Sequence, residues 1–462
     1  MRLAYHRRRF ADVAVSLRAA RAAATRDRWP RERLQRFQQE RLDALVGHAA
    51  RHSPLYRERL RDLPAGPVAL ADLPIMTKAE MMDRFDDLVC DPALRRDALL
   101  DWVEALDTDR LHPTGHRVMT TSGSSGRKGL FVYDREGWRA IATQWLRLSA
   151  ISGTQPRVPR LRFAMLSGAA PTHMSRQGSA TLSIGAHRML GLPVTLPLGQ
   201  LVTELNRFAP QALYTYPSLG LLLAEEQLAG RLRIAPHLAM FGAEPTTADL
   251  RCRLQAAWGL RPGNIYGTTE VPTVASSTPE HPDALEVIDD AVVVEVVDEH
   301  DRPVPPGVPG AKVLVTTLLN RAQPLIRYEL SDRVTVAHGP NPAGRPYRCL
   351  ERIEGRAADT LRFRARDGGE VAGMPYRLGE PVARTPGVSQ FQIVWDGTRM
   401  EVRLVVGRSS PRNVAGALQA NLSEALVAGG AVPPPIDVCV VDALEREPGP
   451  AAKLKLIKAT GR

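Results

Sequence analysis

The segment Thr120 to Gly129, TTSGSSGRKG, gathers into one short stretch the groups that hold an anion. Gly123, Gly126 and Gly129 let the backbone turn its amides toward a phosphate. Thr120, Thr121, Ser122, Ser124 and Ser125 add donors, and Lys128 supplies the charge. The same composition also suits a polar turn, so the flanking residues carry the distinction. A P-loop needs Ser or Thr straight after its lysine and then a helix, whereas Lys128 is followed by Gly129 and the strand-like Leu130 to Tyr133. A dinucleotide fingerprint also runs directly into a helix. Val118 to Thr121 reads as extended on the other side, so the loop is expected to join two strands. The helix comes later, from about Arg135 to Ser149, with Trp138, Ile141, Trp145 and Leu148 spaced for one buried face.

The elements that position this loop belong to a chain of 462 residues, 44% hydrophobic, long enough for a large core and two or more domains. Cys90, Cys252, Cys349 and Cys439 lie far apart with no metal-ligand spacing, which argues against a disulfide framework and suits a reducing compartment. No stretch approaches a membrane span, and the basic start MRLAYHRRRF leads into apolar stretches broken by Arg18 and Arg21, so no signal-peptide core forms. A cytoplasmic protein with no membrane partner is the expectation.

The formal charge of +11 comes from arginines spread along the chain beside Asp and Glu, which argues against a nucleic-acid surface. Lysine is the sparse cation: Lys78, Lys128, Lys312, Lys453, Lys455 and Lys458 are the whole set. A chain that otherwise uses arginine is expected to keep lysine where a compact ammonium is needed.

Residues 31 to 105 read as mostly helical. Between about 160 and 266, strands and helices alternate: strand Leu213 to Tyr216, helix Ser218 to Leu228, strand His237 to Phe241, helix Thr247 to Trp258, strand Asn264 to Tyr266. That order predicts a parallel sheet whose ligands sit beyond the carboxyl ends of its strands. Gly242, Ala243 and Glu244 stand there, and so do Gly267, Thr268, Thr269 and Glu270. From about 285 to 338 the pattern turns β-rich, with Ala291 to Val297, Val313 to Thr317 and Arg333 to Ala337 suggesting a small barrel or sheet. The last hundred or so residues hold a hairpin around Asp396-Gly397 and a helix near 411 to 428, the makings of a small α+β domain.

Four motifs in chain order resemble those of the adenylate-forming superfamily, which includes acyl-CoA synthetases, peptide-synthetase adenylation domains and luciferases. TTSGSSGRKG is similar to its phosphate loop, NIYGTTE (264 to 270) to its Tyr-Gly-x-Thr-Glu motif, RYELSD (327 to 332) to its ribose motif, and GRAAD (355 to 359) to its hinge. Within it, HAARHSPLYRERL (48 to 60), LPIMTK (73 to 78), YPSLGLLLAEE (216 to 226) and FGAEPTT (241 to 247) resemble phenylacetate-CoA ligases. The fold implied is α/β. A large N-terminal domain (1 to 354) has parallel-sheet subdomains, a helical start over about 1 to 105 and a small β-barrel-like part. A small mobile α+β lid domain (355 to 462) follows.

The resemblance implies a carboxylate attacking the α-phosphate of ATP, with acyl adenylate and pyrophosphate as products and coenzyme A as acceptor. Thr120, Ser122, Gly123, Ser124, Ser125, Gly126 and Lys128 would then hold the β- and γ-phosphates. Thr269 would reach the α-phosphate and Glu270 would ligate Mg²⁺, which takes oxygen ligands and often only one carboxylate beside substrate phosphates. Tyr266 would pack on adenine with Gly242, Ala243, Glu244, Gly267 and Thr268 around the nucleotide. Asp332 would bind the ribose hydroxyls, and Arg356 would approach the phosphates. A tail-domain lysine would bridge carboxylate and phosphate: Lys453 is the first choice in PGPAAKLKLIK, and Lys455 is the alternative because Ala452 stands where relatives carry Gly.

Ala358 occupies a hinge position commonly held by Asp or Lys, which leaves the acceptor open among coenzyme A, an amine and a carrier protein. A non-catalytic nucleotide-binding subunit would keep the same fold, but Lys128, Glu270 and Asp332 argue against it. Met165, Met174, Met189, Leu190, Thr172, His173, Ser175, Arg176 and His187 suggest a mixed pocket for an aromatic or small polar acid. His173 and His187 read as partly buried histidines rather than bases, because a carboxylate is already ionised at neutral pH. A homodimer is what the family implies.

Overall fold

In a computed structural model, the structure describes residues 2–62, 68–121, 128–183, 187–246, 248–356, 359–373, 378–379, 381–382, 385–406, 413–447 and 453–460. The phosphate-loop strands are β1 (Arg117–Thr120) and β2 (Leu130–Tyr133), an antiparallel pair in which Thr120 faces Leu130. Helix Arg135–Ile151 follows, opened by Asp134, whose carboxylate accepts the Gly137 amide at 2.6 Å. Such a side chain satisfies one of the amides that a helix start leaves without an internal partner. Trp138, Ile141 and Ala142 are buried along the helix, and helix Arg2–Ala24 packs against it.

The central sheet has nine strands. They are β3 (Arg162–Ser167), β4 (Arg188–Pro193), β5 (Ala212–Thr215), β6 (Leu238–Gly242), β7 (Gly263–Tyr266), β8 (Ala275–Thr278), β9 (His281–Val287), β13 (Asp332–Val336) and β14 (Cys349–Arg356), in the spatial order β13-β14-β9-β8-β7-β6-β5-β3-β4. Pairing is parallel from β4 through β7 and antiparallel from β7 through β13. The parallel half arises because helices Pro217–Leu228 and Ala248–Trp258 carry the chain back between strands, as the alternating sequence pattern requires. Pro217 starts the first of these, where its fixed φ suits the first helical position.

Of the barrel or sheet that the β-rich pattern suggested, the structure has the sheet. Strands β10 (Val292–Val297), β11 (Lys312–Thr317) and β12 (Tyr328–Leu330) form an open three-stranded antiparallel sheet, and no closed barrel is found among the described residues. The third expected strand joins the nine-stranded sheet instead, because the chain turns at Ser331 and β13 pairs with β14. An alternating apolar pattern specifies a half-buried strand, not the sheet that it joins.

The tail carries the antiparallel pair β15 (Leu361–Arg364) and β16 (Glu370–Gly373), then β17 (Val388–Trp395) and β18 (Met400–Val406), whose turn is held by the Asp396 carboxylate accepting the Thr398 and Arg399 amides at 2.8 Å each. Gly397 sits there at φ 99°, a conformation that glycine adopts without penalty. β19 (Ile436–Val440) and β20 (Ile457–Ala459) flank the hairpin in parallel, and Leu418, Leu422 and Leu426 of helix Val414–Ala428 join the same apolar cluster. This cluster draws its residues from Leu361 to Ile457, apart from the main core, which spans Leu42 to Leu350. No helix of the described residues is long and apolar enough to cross a membrane.

Candidate functional site

The described ends of the β1–β2 loop are tied to neighbouring side chains. Thr120 exchanges a hydroxyl hydrogen bond with Thr172 at 2.7 Å, and the Gly129 amide donates to Thr121 Oγ1 at 2.7 Å. Lys128 is exposed at the loop's end. Ser122, Gly123, Ser124, Ser125 and Gly126 lie outside the described residues.

Lys78, which the sequence reading left without a role, reaches this loop. Its Nζ donates to Thr121 Oγ1 at 3.3 Å. Lys78 opens helix Lys78–Asp83, and the residues before it are pinned to β12, with the Met76 amide bonded to the Arg327 carbonyl at 3.1 Å and the Glu329 amide to the Met76 carbonyl at 2.9 Å. A side chain on Gly129 would put its Cβ 2.8 Å from Phe131 Cε2, 3.0 Å from Thr121 Oγ1 and 3.2 Å from Lys78 Cε, so the position is crowded by the ring and by the lysine stem. Burial lowers the Lys78 pKa, against the pull of the nearby Glu270 carboxylate. Two signals were available: its place in LPIMTK and the scarcity of lysine.

Beyond the carboxyl end of β7, the Tyr266–Glu270 turn is held from both sides. The Thr268 amide donates to the Val271 carbonyl at 2.9 Å, and Thr268 Oγ1 accepts the Val271 amide at 3.0 Å. Tyr133 Oη donates to the Thr269 carbonyl at 2.6 Å and lies 3.2 Å from that of Glu270. Gly267 has no room for a side chain, since a Cβ would stand 2.3 Å from the Pro272 carbonyl. Glu270 is buried near the Tyr328 hydroxyl, whose pKa is raised by burial and by the Glu270 charge. A buried carboxylate needs such partners or a cation.

Tyr266 Oη donates to Asp332 Oδ2 at 3.2 Å, and Arg356 Nε stands 3.9 Å from Asp332 Oδ1, because Asp332 and Arg356 are paired across β13 and β14. Burial raises the Asp332 pKa, while Arg356 and the tyrosine hydrogen bond act the other way. Gly242 ends β6 in close packing, where a Cβ would meet Tyr214 Oη at 2.9 Å and the Ile265 carbonyl at 3.1 Å. Ala243 takes a left-handed φ of 69°, which swings Glu244 away from the sheet.

The tail contributes Lys453. Part of its surface stays open, yet its ammonium lies deep enough for burial to dominate a lowered pKa. Arg356 adds to that lowering, and Glu244, Glu447 and Glu270 oppose it. Lys455 turns elsewhere, into a 2.7 Å ion pair with Asp359. Structure therefore brings Lys453, rather than Lys455, to the residues of the large sheet.

His173 lines the same region, with Nδ1 2.8 Å from Ser175 Oγ and Nε2 3.5 Å from Tyr216 Oη. Of the mixed-pocket residues, Thr172 reaches Thr120 and His173 feels the Lys453 charge. Met165 and Met189 pack with Leu161, Phe163 and Ala212.

His187 is fully buried, and neither ring nitrogen has a hydrogen-bond partner among the described residues. Burial pushes its pKa down to about 4, and burial together with the Lys453 charge does the same for His173. Unfolded histidine titrates near 6.5. Between these values the unfolded chain takes up protons that the folded chain refuses, so stability is complete above about 6.5 and is lost as pH falls toward 4. His187→Leu is expected to flatten that loss: the urea midpoint should drop less between pH 7 and pH 5 than in the parent. An unchanged acid dependence would contradict the assignment.

The assembled groups are an anion loop, two lysines, a buried carboxylate, a Tyr–Asp–Arg set and a neutral histidine. Residues 109–316 match the family model described as AMP-binding enzyme. The phenylacetate-coenzyme A ligase of Thermus thermophilus is 28% identical over 402 residues, which cover 83% of each chain. That of Escherichia coli is 27% identical over 374 residues, covering 76% of this chain and 77% of the other. Among solved structures, 2-hydroxyisobutyryl-CoA ligase in its postadenylation state with 2-HIB-AMP has a TM-score of 0.76 at 21% identity, covering 95% of this chain and 91% of that one. In its thioesterification state with 2-HIB-AMP and CoA, the TM-score is 0.59 at 21% identity, over 94% of this chain and 91% of that one.

Proposed function

We propose that the chain, which is similar to phenylacetate-coenzyme A ligases and matches the AMP-binding enzyme model over residues 109–316, activates a carboxylic acid with ATP. Acyl-AMP and pyrophosphate form first, and the acyl group then passes to coenzyme A as a thioester. The observation that carries this reading is Lys453 of the tail standing beside Glu270, Asp332 and Arg356 of the large sheet. Positive charge converges where a phosphoryl group would gain negative charge in the transition state, which is the largest lever available for this chemistry.

In this reading Asp332 accepts the ribose hydroxyls and Tyr266, held by Asp332, packs on adenine with Gly242, Ala243, Gly267 and Thr268 around it. Thr120, Lys128, Arg356 and the loop between the two β strands hold the phosphates, and Thr269 reaches the α-phosphate. Lys453 bridges the acid and the α-phosphate.

Among the described residues no group of three or more His, Cys, Asp and Glu is placed to hold a metal, so Mg²⁺ would take Glu270 with phosphate oxygens. Buried Glu270, facing Lys78 and the loop, fits that ligand role. Mg²⁺ bound there would neutralise phosphate charge.

The acid is proposed to be aromatic or small and polar. His173 and Tyr216 give the pocket hydrogen-bonding atoms, and the depressed pKa leaves the imidazole uncharged at neutral pH. The tail from about residue 355 would move as a unit, in keeping with its separate apolar cluster. A cytoplasmic site of action and a homodimer remain part of this proposal, the latter from family likeness alone.

Incubation with ATP, Mg²⁺ and a library of carboxylic acids, with pyrophosphate measured with and without coenzyme A, tests the reading. Acid-dependent pyrophosphate followed by thioester is the expected result. Release without thioester would move the acceptor to an amine or carrier protein, and no release with any acid would overturn catalysis. Lys78→Ala is expected to slow pyrophosphate release about tenfold or more by removing one cation from the phosphate loop. A rate within about twofold of the parent would show that Lys78 only supports the loop.

A further inference from the structure

Glu244 was expected around the nucleotide, yet both of its carboxylate oxygens are engaged elsewhere. Oε2 accepts the Ser218 amide at 2.9 Å, and Oε1 accepts the Leu454 amide at 2.9 Å. Ser218 lies in the first turn of helix Pro217–Leu228, whose amides have no partner inside the helix and favour a negative group. Leu454 belongs to the tail and directly follows Lys453. One carboxylate therefore spans the large part and the tail at the residue next to the lysine.

Ser218 carries further contacts across the same junction. Its carbonyl accepts Gln390 Nε2 at 2.9 Å, and its hydroxyl lies 3.4 Å from Arg446 Nη1. Ser218 and Gln390 are both buried. On the tail side, the Lys453 carbonyl accepts the Glu447 amide at 2.9 Å, which ties the residue before Leu454 to Glu447. The Ala243 turn, with its left-handed φ of 69°, aims Glu244 at this junction. Such a conformation is unfavourable in a non-glycine residue and persists where surrounding structure requires it.

We propose that Glu244 is a positioning residue that latches the tail in the adenylation arrangement and sets the location of the Lys453 ammonium, rather than an adenine contact. The inference rests on the function proposed above. When the tail turns to admit the acceptor, the Leu454 bond breaks and the Ser218 bond stays, since Ser218 lies on the same side as Glu244. Latch strength thus biases the balance between two arrangements, and a change in it acts on one half-reaction.

The test separates the two halves in Glu244→Ala, Glu244→Gln and Gln390→Ala. Single-turnover pyrophosphate formation is expected to fall about 10- to 100-fold in Glu244→Ala, the loss that follows when a reacting group is displaced by about an ångström. Glu244→Gln, which keeps one acceptor, and Gln390→Ala should fall less. Thioester formation from supplied acyl adenylate and coenzyme A should stay within about threefold of the parent, and so should ATP affinity by calorimetry. ATP affinity falling in step with the rate would restore the nucleotide-contact role and overturn the latch, as would an equal fall in both half-reactions.

If the Glu244 variants do not fold, Gln390→Ala must show the same split, and its absence overturns the latch. Amide hydrogen exchange in the protein without substrates gives a readout independent of activity: Leu454 should exchange faster in Glu244→Ala, and unchanged exchange sinks the proposal. A parent enzyme that releases no pyrophosphate with any acid would instead defeat the function proposed above, leaving the exchange experiment to judge the latch.

Discussion

Lys453→Ala is expected to lower pyrophosphate formation by about a hundredfold or more, while thioester formation from supplied acyl adenylate stays near the parent rate. Loss of one strong transition-state donor in a water-excluded site has about that size. The ammonium is held among Arg356, Glu244, Glu447 and Glu270, and burial already works against its charge. Its removal should not unfold the protein, since the charge that leaves is one that burial disfavours. Lys455→Ala is the companion measurement: its 2.7 Å partner is Asp359, so its effect on adenylation should be below about tenfold. A near-normal rate in Lys453→Ala, or the larger loss in Lys455→Ala, would reverse the assignment.

Glu270→Gln should cost adenylation about 10²- to 10³-fold, with Mg²⁺ dependence shifted to higher concentration. The substitution preserves the side chain's shape beside Tyr328, so packing around β12 should hold. What disappears is the negative charge facing Lys78 and the phosphate loop, which is the feature a hard cation requires. Thermal unfolding close to the parent, measured alongside, would tie the loss to chemistry. Near-normal rates across an Mg²⁺ titration would instead leave Glu270 as a packing group for Tyr328.

Much of the site was legible because its residue types follow the demands of the reaction. Tyr266 ends β7 and Glu270 follows it, where alternating strand and helix patterns place ligands, whereas Asp332 opens β13 and Arg356 closes β14 in the antiparallel half and were legible only through the resemblance of their motifs. The Asp332–Arg356 pairing could not be read from spacing, because it depends on β13 lying beside β14 in antiparallel register. The choice between a small barrel and a sheet stayed open for the same reason: Asp332–Val336 has the pattern of a strand, but nothing local says which sheet takes it. Lys78 escaped notice because it lies far from the loop in sequence, and the Met76 bridge to β12 brings it there.

By itself the sequence determined the chemistry on offer: an anion loop between two strands, acids and an arginine after later strands, and lysine kept sparse. These follow from side-chain chemistry and from short-range backbone preferences, which a sequence states directly. Tertiary structure alone decided which of two lysines two residues apart meets Arg356, Glu244 and Glu270, and which grips hold it there. Lys453 and Lys455 are chemically identical, and their difference arises only when the tail docks on Ser218 and Glu244, through contacts more than a hundred and seventy residues apart.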